Sequence, residues 1–491
     1  MSSHEHHGMK PLDGLAPYCS RSNYSEHQRE DRFGRMFGDL PPAYTRPDIL
    51  QEIGRDNGPM DGGNKNSPTK TVPVGMVFFG QFIDHDITLD ASTSFSSVIS
   101  DAGEVSNVRT PTLDLDCIYG LGPEAQPYLF SQEAPFNGVK LLTGDDNRLD
   151  NGDLVQGDYA DHDLLRSPNM RAVIGDPRND ENRILSQMQL AIIRFHNHVA
   201  DTLYHDSKNN PDEETLEGHD LYVEARKQTT WHYQWAVVND FLTAMCGTPV
   251  VERILGCGRQ FYCASTPFIP VEFSVAAYRF GHSMIPMSLQ TRKGTGKLEL
   301  FGEFLGRGFD RVSHPRAVVD WHELFETSEG RTVEKTQTLD TKLAGDLLKL
   351  PFVEAGGEAS LATRNLLRGN AFLLPGGEKV AKAIGVDQAD IDTVIGKIAE
   401  IHPGLGSDGI PLWLYLLAEA EVIGRAESNG TFTKGEALGP VGATIVAEVM
   451  IGILELDDRS FLGANRNWAP REEWDDIGKI MTITNPTLPA V

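Results

Sequence analysis

Cysteine is scarce: 491 residues hold five, Cys19, Cys117, Cys246, Cys257 and Cys263. So sparse and odd a set is no disulfide framework, and a chain of this length buries enough core to need none. Reduced and mostly buried thiols are expected, with pairing of Cys257 with Cys263, or of either with Cys246, left open. Basic residues are also few. Lys and Arg number 44 against 70 Asp and Glu, a net charge of −26. Phosphate contacts need clustered cations, so nucleic acid and anionic membrane are excluded as main partners, while calcium or a small substrate suits the balance. Long apolar runs are missing too. The longest, Val441–Leu456, is interrupted by Glu448 and falls short of the ~20 residues that span a bilayer. The opening MSSHEHHGMKPLDG has no apolar leader segment, so the expected location is cytoplasmic by default, or outside by a non-classical export route. Strand signals are few, and no period of 20–50 residues recurs to suggest a solenoid.

What is present is ordinary globular composition, 40% apolar and 23% charged. Helical spacing of apolar residues covers Thr71–Leu89, Glu181–His205, Tyr222–Cys246, Val275–Met287, Leu361–Gly385, Ile391–Ile401, Leu412–Ile423 and Val441–Leu456. The expected fold is mainly α: a single large helical domain over 31–491 with long loops and few short strands, preceded by an N-terminal arm at 1–30. The whole of 1–70 has little periodicity and reads as chain wrapped on a core. His4, His6 and His7 read as a polar terminus rather than a metal cluster.

Four stretches carry chemistry. In Gly80-Gln81-Phe82-Ile83-Asp84-His85-Asp86, Gln81, Asp84 and His85 share one helix face, placing an amide, a carboxylate and a candidate general base on one wall. In Gly175-Asp176-Pro177-Arg178-Asn179-Asp180-Glu181-Asn182, Arg178 and Glu181 stand three apart where a helix starts, either a surface ion pair or a cation aimed into a pocket. In Tyr278-Arg279-Phe280-Gly281-His282-Ser283, a histidine follows a glycine that permits close approach of a flat group, so His282 is either an axial ligand or a core histidine. In Thr110-Pro111-Thr112-Leu113-Asp114-Leu115-Asp116, alternating oxygen side chains read either as a solvated acidic loop or as a hard-cation site that Asp86 could complete.

Taken in this order, the set resembles the animal-type heme peroxidases of the peroxidase–cyclooxygenase superfamily, which includes myeloperoxidase, lactoperoxidase and peroxidasin, and its bacterial members in particular. The likeness begins near Arg32-Phe33-Gly34-Arg35-Met36-Phe37. It continues through Gly80–Asp86, Asp114–Gly120, Gly175–Glu181, His196-Asn197-His198, Tyr278–His282, Asn365–Arg368 and Leu374-Pro375-Gly376-Gly377, and reaches Gly439–Glu448. It thus covers roughly residues 30–460, and 31–491 reads as the catalytic domain.

The resemblance implies a role for each residue. His85 would be the distal acid–base histidine, Arg178 the distal arginine, and Gln81 a lining residue of the distal cavity. His282 would ligate heme iron, with Asn365 accepting its other ring proton, Arg279 facing a propionate and Arg368 able to reach the propionates. Asp84 and Glu181 would form ester links to a heme b-derived group. The third link, a sulfonium from a methionine just after the glutamate, is specific to myeloperoxidase within the family; Asn182 stands there, so no sulfonium bond is expected and bromide, iodide, thiocyanate or organic donors would be favoured over chloride. Asp86, Thr110, Thr112 (through its carbonyl), Asp114 and Asp116 would bind Ca²⁺, with Asp116 where the family often has serine. His196 and His198 are expected to be structural.

The activity implied is reduction of hydrogen peroxide with oxidation of bromide, iodide, thiocyanate or small organic donors, in a response to oxidative stress. Two alternatives stand beside it. A fatty-acid dioxygenase of the same superfamily would carry tyrosine three residues before the proximal histidine, where this chain has Arg279 and Tyr278 lies one further back. An inactive calcium-binding adhesion or matrix protein would not need His85, Arg178 and His282 together.

Overall fold

The computed structural model describes residues 32–90, 98–99, 101–148, 152–153, 155–212, 214–354, 356–485 and 488. The arm at 1–30, with His4, His6, His7 and Cys19, lies outside the described residues. The rest is mainly α. Sheet among the described residues amounts to two-stranded ribbons: β1 (Phe33–Gly34) with β3 (Ile269–Pro270) in parallel, and β2 (Pro68–Pro73) with β6 (Lys335–Gln337), β4 (Ser288–Leu289) with β5 (Leu298–Glu299) and β7 (Arg425–Ala426) with β8 (Phe432–Thr433) antiparallel.

Proline at the first turn opens α1 (Pro47–Gly54), which buries Leu50 and Ile53. The segment before residue 70 is therefore not wholly irregular. The helix expected from Thr71 begins later, as α2 (Gly75–Ile87). β-branched Thr71 and Val72, followed by Pro73, favour the extended ribbon that precedes it. α2 is buried along most of its length, and Gly75 is required at its start: a Cβ there would stand 2.7 Å from Leu324 O and from the Phe325 ring.

Asn182 caps α3 (Arg183–Asn209) by accepting the Leu185 N–H at 3.0 Å, and the helix then runs for 27 residues. α4 (Gly218–Ala236) leads into a π-turn at Val237–Leu242. The extra residue of that turn sets Phe241 against α2, where a Cβ on Gly80 would come within 2.8 Å of the ring. α5 (Thr248–Cys257) follows. The helix expected over Val275–Met287 is instead a π-turn at Glu272–Ala276 joined to a 3₁₀ stretch at Ala277–Ser283, because Ala276 (φ −126°, ψ −71°) leaves the helical region between them. Buried Glu272 holds the N-terminal strap here, accepting the Met36 and Phe37 N–H groups at 3.0 Å each.

The expected Leu361–Gly385 helix divides into α6 (Leu361–Ala371) and α7 (Gly377–Ile384) around Leu373-Leu374-Pro375. α8 (Gln388–Ile401), α9 (Leu412–Val422), α10 (Pro440–Leu456) and α11 (Ile477–Thr482) complete the set. α10 is buried almost throughout. Its acid Glu448 is satisfied by three backbone N–H groups, of Gln260 (2.9 Å), Phe261 (2.6 Å) and Tyr262 (2.9 Å). One apolar cluster runs from Phe33 to Met481 through all these helices. No helix among the described residues is long and apolar enough to cross a membrane. Cys117 and Cys246 are buried, Cys257 and Cys263 exposed, and all four are free thiols; the expectation that most are buried fails at the latter two.

Candidate functional site

α2 and the 3₁₀ stretch at 277–283 pack against one another. The Tyr278 hydroxyl donates to Gly80 O at 3.2 Å, and Val77 lies beside Gly281. Residues on the facing sides of the two elements, Gln81, Asp84, Arg279, Gly281 and His282, are half-buried, whereas their neighbours Phe82, Ile83, Tyr278 and Phe280 are buried. Glu181 keeps 39% of its side-chain surface accessible, yet burial pushes its carboxyl up to about 7. A carboxylate that is both reachable and desolvated borders an enclosed recess, not the outer surface.

On the α2 side, His85 is 5% exposed. Burial, then the Arg178 charge, pulls its pKa down to about 4, so the imidazole is neutral near pH 7. Its Nδ1 is 2.8 Å from Asn179 Oδ1, and its Nε2 is 4.0 Å from Glu181 Oε1. The Gln81 amide donates to the same Glu181 oxygen at 2.6 Å. Asp84 accepts from the Thr88 hydroxyl at 2.9 Å. Arg178 sits on a 3₁₀ turn, Pro177–Asp180, opened by Asp176, whose side chain accepts the Arg178 N–H at 2.9 Å. The guanidinium is clamped on Asp176 (Nη2 to Oδ2, 2.8 Å) and donates to His85 O at 3.0 Å. The structure thus brings Gln81, Asp84, His85, Arg178 and Glu181 near one another.

Sequence reasoning missed what holds that turn. Buried Arg166 binds Asp180 through two bonds of 2.8 Å and Asp163 through bonds of 2.8 and 2.9 Å. Gly308 presses against the backbone of Glu181, where a Cβ would stand 1.9 Å from its carbonyl oxygen. An isolated Arg or Gly far along the chain gives no signal of such contacts.

On the 3₁₀ stretch, the His282 Nδ1 is 2.8 Å from the Asn365 amide nitrogen, and the amide oxygen accepts from Arg279 at 3.3 Å. The expected partner is in place, but its direction differs: the amide donates to the ring, because Arg279 draws its oxygen. Arg279 likewise turns to Asn365 and to Ser274 O (3.0 Å). A half-turn of the nearly symmetric amide would bring its oxygen to Nδ1. Burial, then Arg368 and Arg364, pulls the Arg279 pKa down to about 10, and burial with Arg279 and Arg364 pulls His282 to about 3. Arg368 pairs with Asp90. Crowded guanidinium groups beside a neutral imidazole fit a dianionic group whose metal takes nitrogen, as heme with its two propionates would.

The loop before α3 brings Asp86, Asp114 and Asp116 together, with one oxygen of each within 4.8 Å of the others. Leu115 adopts a left-handed conformation (φ 57°) between the two loop aspartates. Asp86 Oδ1 is buried without a hydrogen-bond donor, as is the Thr112 hydroxyl. Burial, then Asp116 and Asp114, pushes Asp86 well above the usual carboxylate range; burial, then Asp114, pushes Asp116 to about 7. Thr110 donates to Asp114 at 2.9 Å, and Arg109 pairs with Asp116 at 3.1 Å. An orphaned buried oxygen among three crowded carboxylates fits a divalent hard cation. His196 is held between Tyr119 (3.0 Å) and Val139 O (2.9 Å) inside the core, a structural histidine.

A family model described as animal haem peroxidase matches residues 93–391. Arg178, Glu181, His282 and Asn365 fall inside that range, and His85 just before it. Rat (Rattus norvegicus) thyroid peroxidase is 24% identical over 381 residues, covering 72% of this chain and 38% of that protein. A dual oxidase of Drosophila melanogaster is 27% identical over 198 residues, 39% of this chain and 12% of that protein. The chain thus spans well under half the length of both. Among solved structures, peroxidase A from Dictyostelium discoideum superimposes with a TM-score of 0.61 at 16% identity, covering 95% of each chain. A fatty acid alpha-dioxygenase from Arabidopsis thaliana reaches 0.57 at 15% identity, covering 92% of this chain and 76% of that one, so both share the fold. The family match covers more than half of the sequence, and the chain belongs to the animal haem peroxidase family.

Proposed function

We propose that the protein is a heme peroxidase that reduces hydrogen peroxide and oxidises bromide, iodide, thiocyanate or small organic donors rather than chloride. The observation that supports this reading is neutral His85, with Arg178 and Glu181 near it, on the helix that packs against the 3₁₀ stretch carrying His282. When bound, heme supplies the iron that takes up the oxidising equivalents of peroxide and passes them to a donor. His282 would hold the iron through Nε2, with Asn365 turned to accept from Nδ1. His85 takes a proton from hydrogen peroxide and returns it to the departing oxygen, and the Arg178 cation stabilises the negative charge that develops between these events. Asp84 and Glu181 would bond covalently to heme methyl groups, while Asn182, spent on capping α3, offers no third link. Arg279 and Arg368 would meet the propionates. Asp86, Thr110, Thr112, Asp114 and Asp116 would hold Ca²⁺, bracing the end of α2 beside His85. Gln81 would line the space that the donor anion enters.

The dioxygenase reading has fold likeness behind it, but Arg279 stands where that chemistry wants tyrosine. Tyr278 does not replace it: its ring stacks on Phe273 at 4.7 Å and its hydroxyl is committed to Gly80 O. A purely adhesive calcium protein has no use for a desolvated histidine beside a clamped arginine. The deciding experiment is a pyridine hemochrome assay on hemin-supplemented protein, with mass spectrometry of the digested pigment and peroxide-dependent oxidation of iodide and thiocyanate. A colourless chain ends the proposal; oxygen uptake with a polyunsaturated fatty acid and no added peroxide transfers it to the dioxygenases.

A further inference from the structure

We infer that Asn179 is a positioning residue which, through a relay ending on the Cys117 carbonyl, holds the His85 proton on Nδ1 and leaves Nε2 free toward the recess. This inference rests on the peroxidase reading for its kinetic consequence, and on geometry alone for the tautomer.

The relay has three hydrogen bonds. His85 Nδ1 and Asn179 Oδ1 are 2.8 Å apart. The Asn179 amide nitrogen donates to Gln189 Oε1 at 2.8 Å. The Gln189 amide nitrogen donates to Cys117 O at 3.1 Å. Asn179 and Gln189 are both fully buried, so water cannot substitute for any partner.

The direction follows from the far end. A backbone carbonyl only accepts. Gln189 must therefore present its NH₂ to Cys117, which turns its oxygen to Asn179. Asn179 must present its NH₂ to that oxygen, which turns its own oxygen to His85. An amide oxygen also only accepts, so Nδ1 must carry the ring proton and Nε2 keeps its lone pair. Reversing the histidine would oppose two acceptors at 2.8 Å or force both amides to turn and leave two carbonyl oxygens facing at the end, each a buried and uncompensated polar clash.

The anchor is itself rigid. Gly175 lies against the Asp116–Cys117 backbone, where a Cβ would meet Cys117 O at 2.6 Å, and Gln189 projects from the first turns of α3. Asn179 lies next to Arg178 on a turn fixed by Asp176 and by the Arg166–Asp180 pair. One four-residue turn thus delivers both the cation and the group that selects the histidine's tautomer.

The test uses the full, heme-loaded chain and three variants. Neutron diffraction from perdeuterated crystals of the wild type should show deuterium on His85 Nδ1 and none on Nε2. Asn179→Leu, which fills the space without accepting a bond, should keep its heme spectrum but lose this tautomer preference. Its second-order rate with hydrogen peroxide should fall about 10–100-fold, part of the ~10²–10⁴ that general acid–base catalysis contributes. Asn179→Asp, still an acceptor for Nδ1–H, should keep the tautomer and recover most of the rate. Gln189→Leu should weaken the preference, and KM for the electron donor should stay unchanged in all three. Deuterium on Nε2 of the wild type overturns the inference, as does an Asn179→Leu variant with unaltered tautomer and rate. If Asn179→Leu does not fold, the Asp and Gln189 variants decide: loss of the tautomer in Asn179→Asp, or no change in Gln189→Leu, overturns it. Should the purified chain bind no heme, the peroxidase reading fails while the neutron map still settles the tautomer.

Discussion

Lys65 places its ammonium against both the backbone oxygen and the hydroxyl of Ser283, at 2.9 and 3.0 Å, directly beside His282. Three further oxygens close round it: Thr338 O at 2.7 Å, Asp340 Oδ1 at 2.6 Å and Lys342 O at 2.8 Å. A residue from the weakly periodic segment before residue 70 therefore fastens the turn that carries His282. Lys65→Met leaves buried oxygens without their cation and should cost about 3–5 kcal/mol of stability. Denaturant titration measures that loss, and hemin titration should show weaker binding. Potassium or ammonium ions restoring hemin affinity to Lys65→Ala, where choline does not, would confirm that a bare cation suffices.

His85→Ala should bind hemin with an unchanged stoichiometry while its reaction with peroxide slows by about 10²–10⁴. His282→Ala should lose or loosen the pigment. Stopped-flow absorbance and the hemochrome assay separate the two outcomes, and equal damage from both would mean that the two histidines do not face one another across the recess.

Asp84→Val should render the pigment partly extractable by acidic organic solvent, and adding Glu181→Gln should complete the release. Extraction followed by chromatography reads the covalent fraction. Full extraction from the unaltered protein would remove the ester assignment from both residues.

Chelation should lower the thermal midpoint, because Asp86, Asp114 and Asp116 then repel one another without a cation between them. Asp86→Asn should remove the calcium dependence of that midpoint. Arg109 already pairs with Asp116, so Asp116→Ser should weaken calcium binding less than Asp86→Asn does. Isothermal titration with calcium ranks the two.

Glu419 gives a dependence on pH. Its carboxylate accepts from Val441 and Gly442 at the start of α10 (3.0 and 3.3 Å), but burial pushes its carboxyl up to about 8 from 4.5. The folded state then holds this proton more tightly than the unfolded chain does. Its contribution is complete below about pH 4.5 and is lost as pH rises toward 8. Glu419→Gln should flatten that decline. Denaturant midpoints at pH 5 and pH 8 should differ more for the unaltered protein than for the variant.

Much of the site was legible because its parts are local. Gln81, Asp84 and His85 share a helix face by spacing alone, and Arg178 and Glu181 share one turn. The cluster of Asp86, Asp114 and Asp116 is foreshadowed by alternating oxygen side chains at 110–116. The periodicity of α3 and α10 located them to within a few residues. Illegible features depend on distant chain or on backbone detail. Nothing in Ala276 announces the break that turns the expected helix at 275–287 into a π-turn and a 3₁₀ stretch. The Asn-x-x-Arg pattern pairs Asn365 with His282, but the contact its amide oxygen makes is with Arg279, 86 residues away, which no local pattern announces. Lys65, Arg166, Gln189 and Gly308 are ordinary residues whose importance arises only from what the fold brings to them.

The guanidinium groups of Arg279, Arg364 and Arg368 crowd one another beside His282, and burial, then Arg368 and Arg364, lowers the Arg279 pKa. A dianionic group bound there would relieve their mutual repulsion, so hemin would stabilise the chain through charge as well as through contact, and its addition should raise the thermal midpoint.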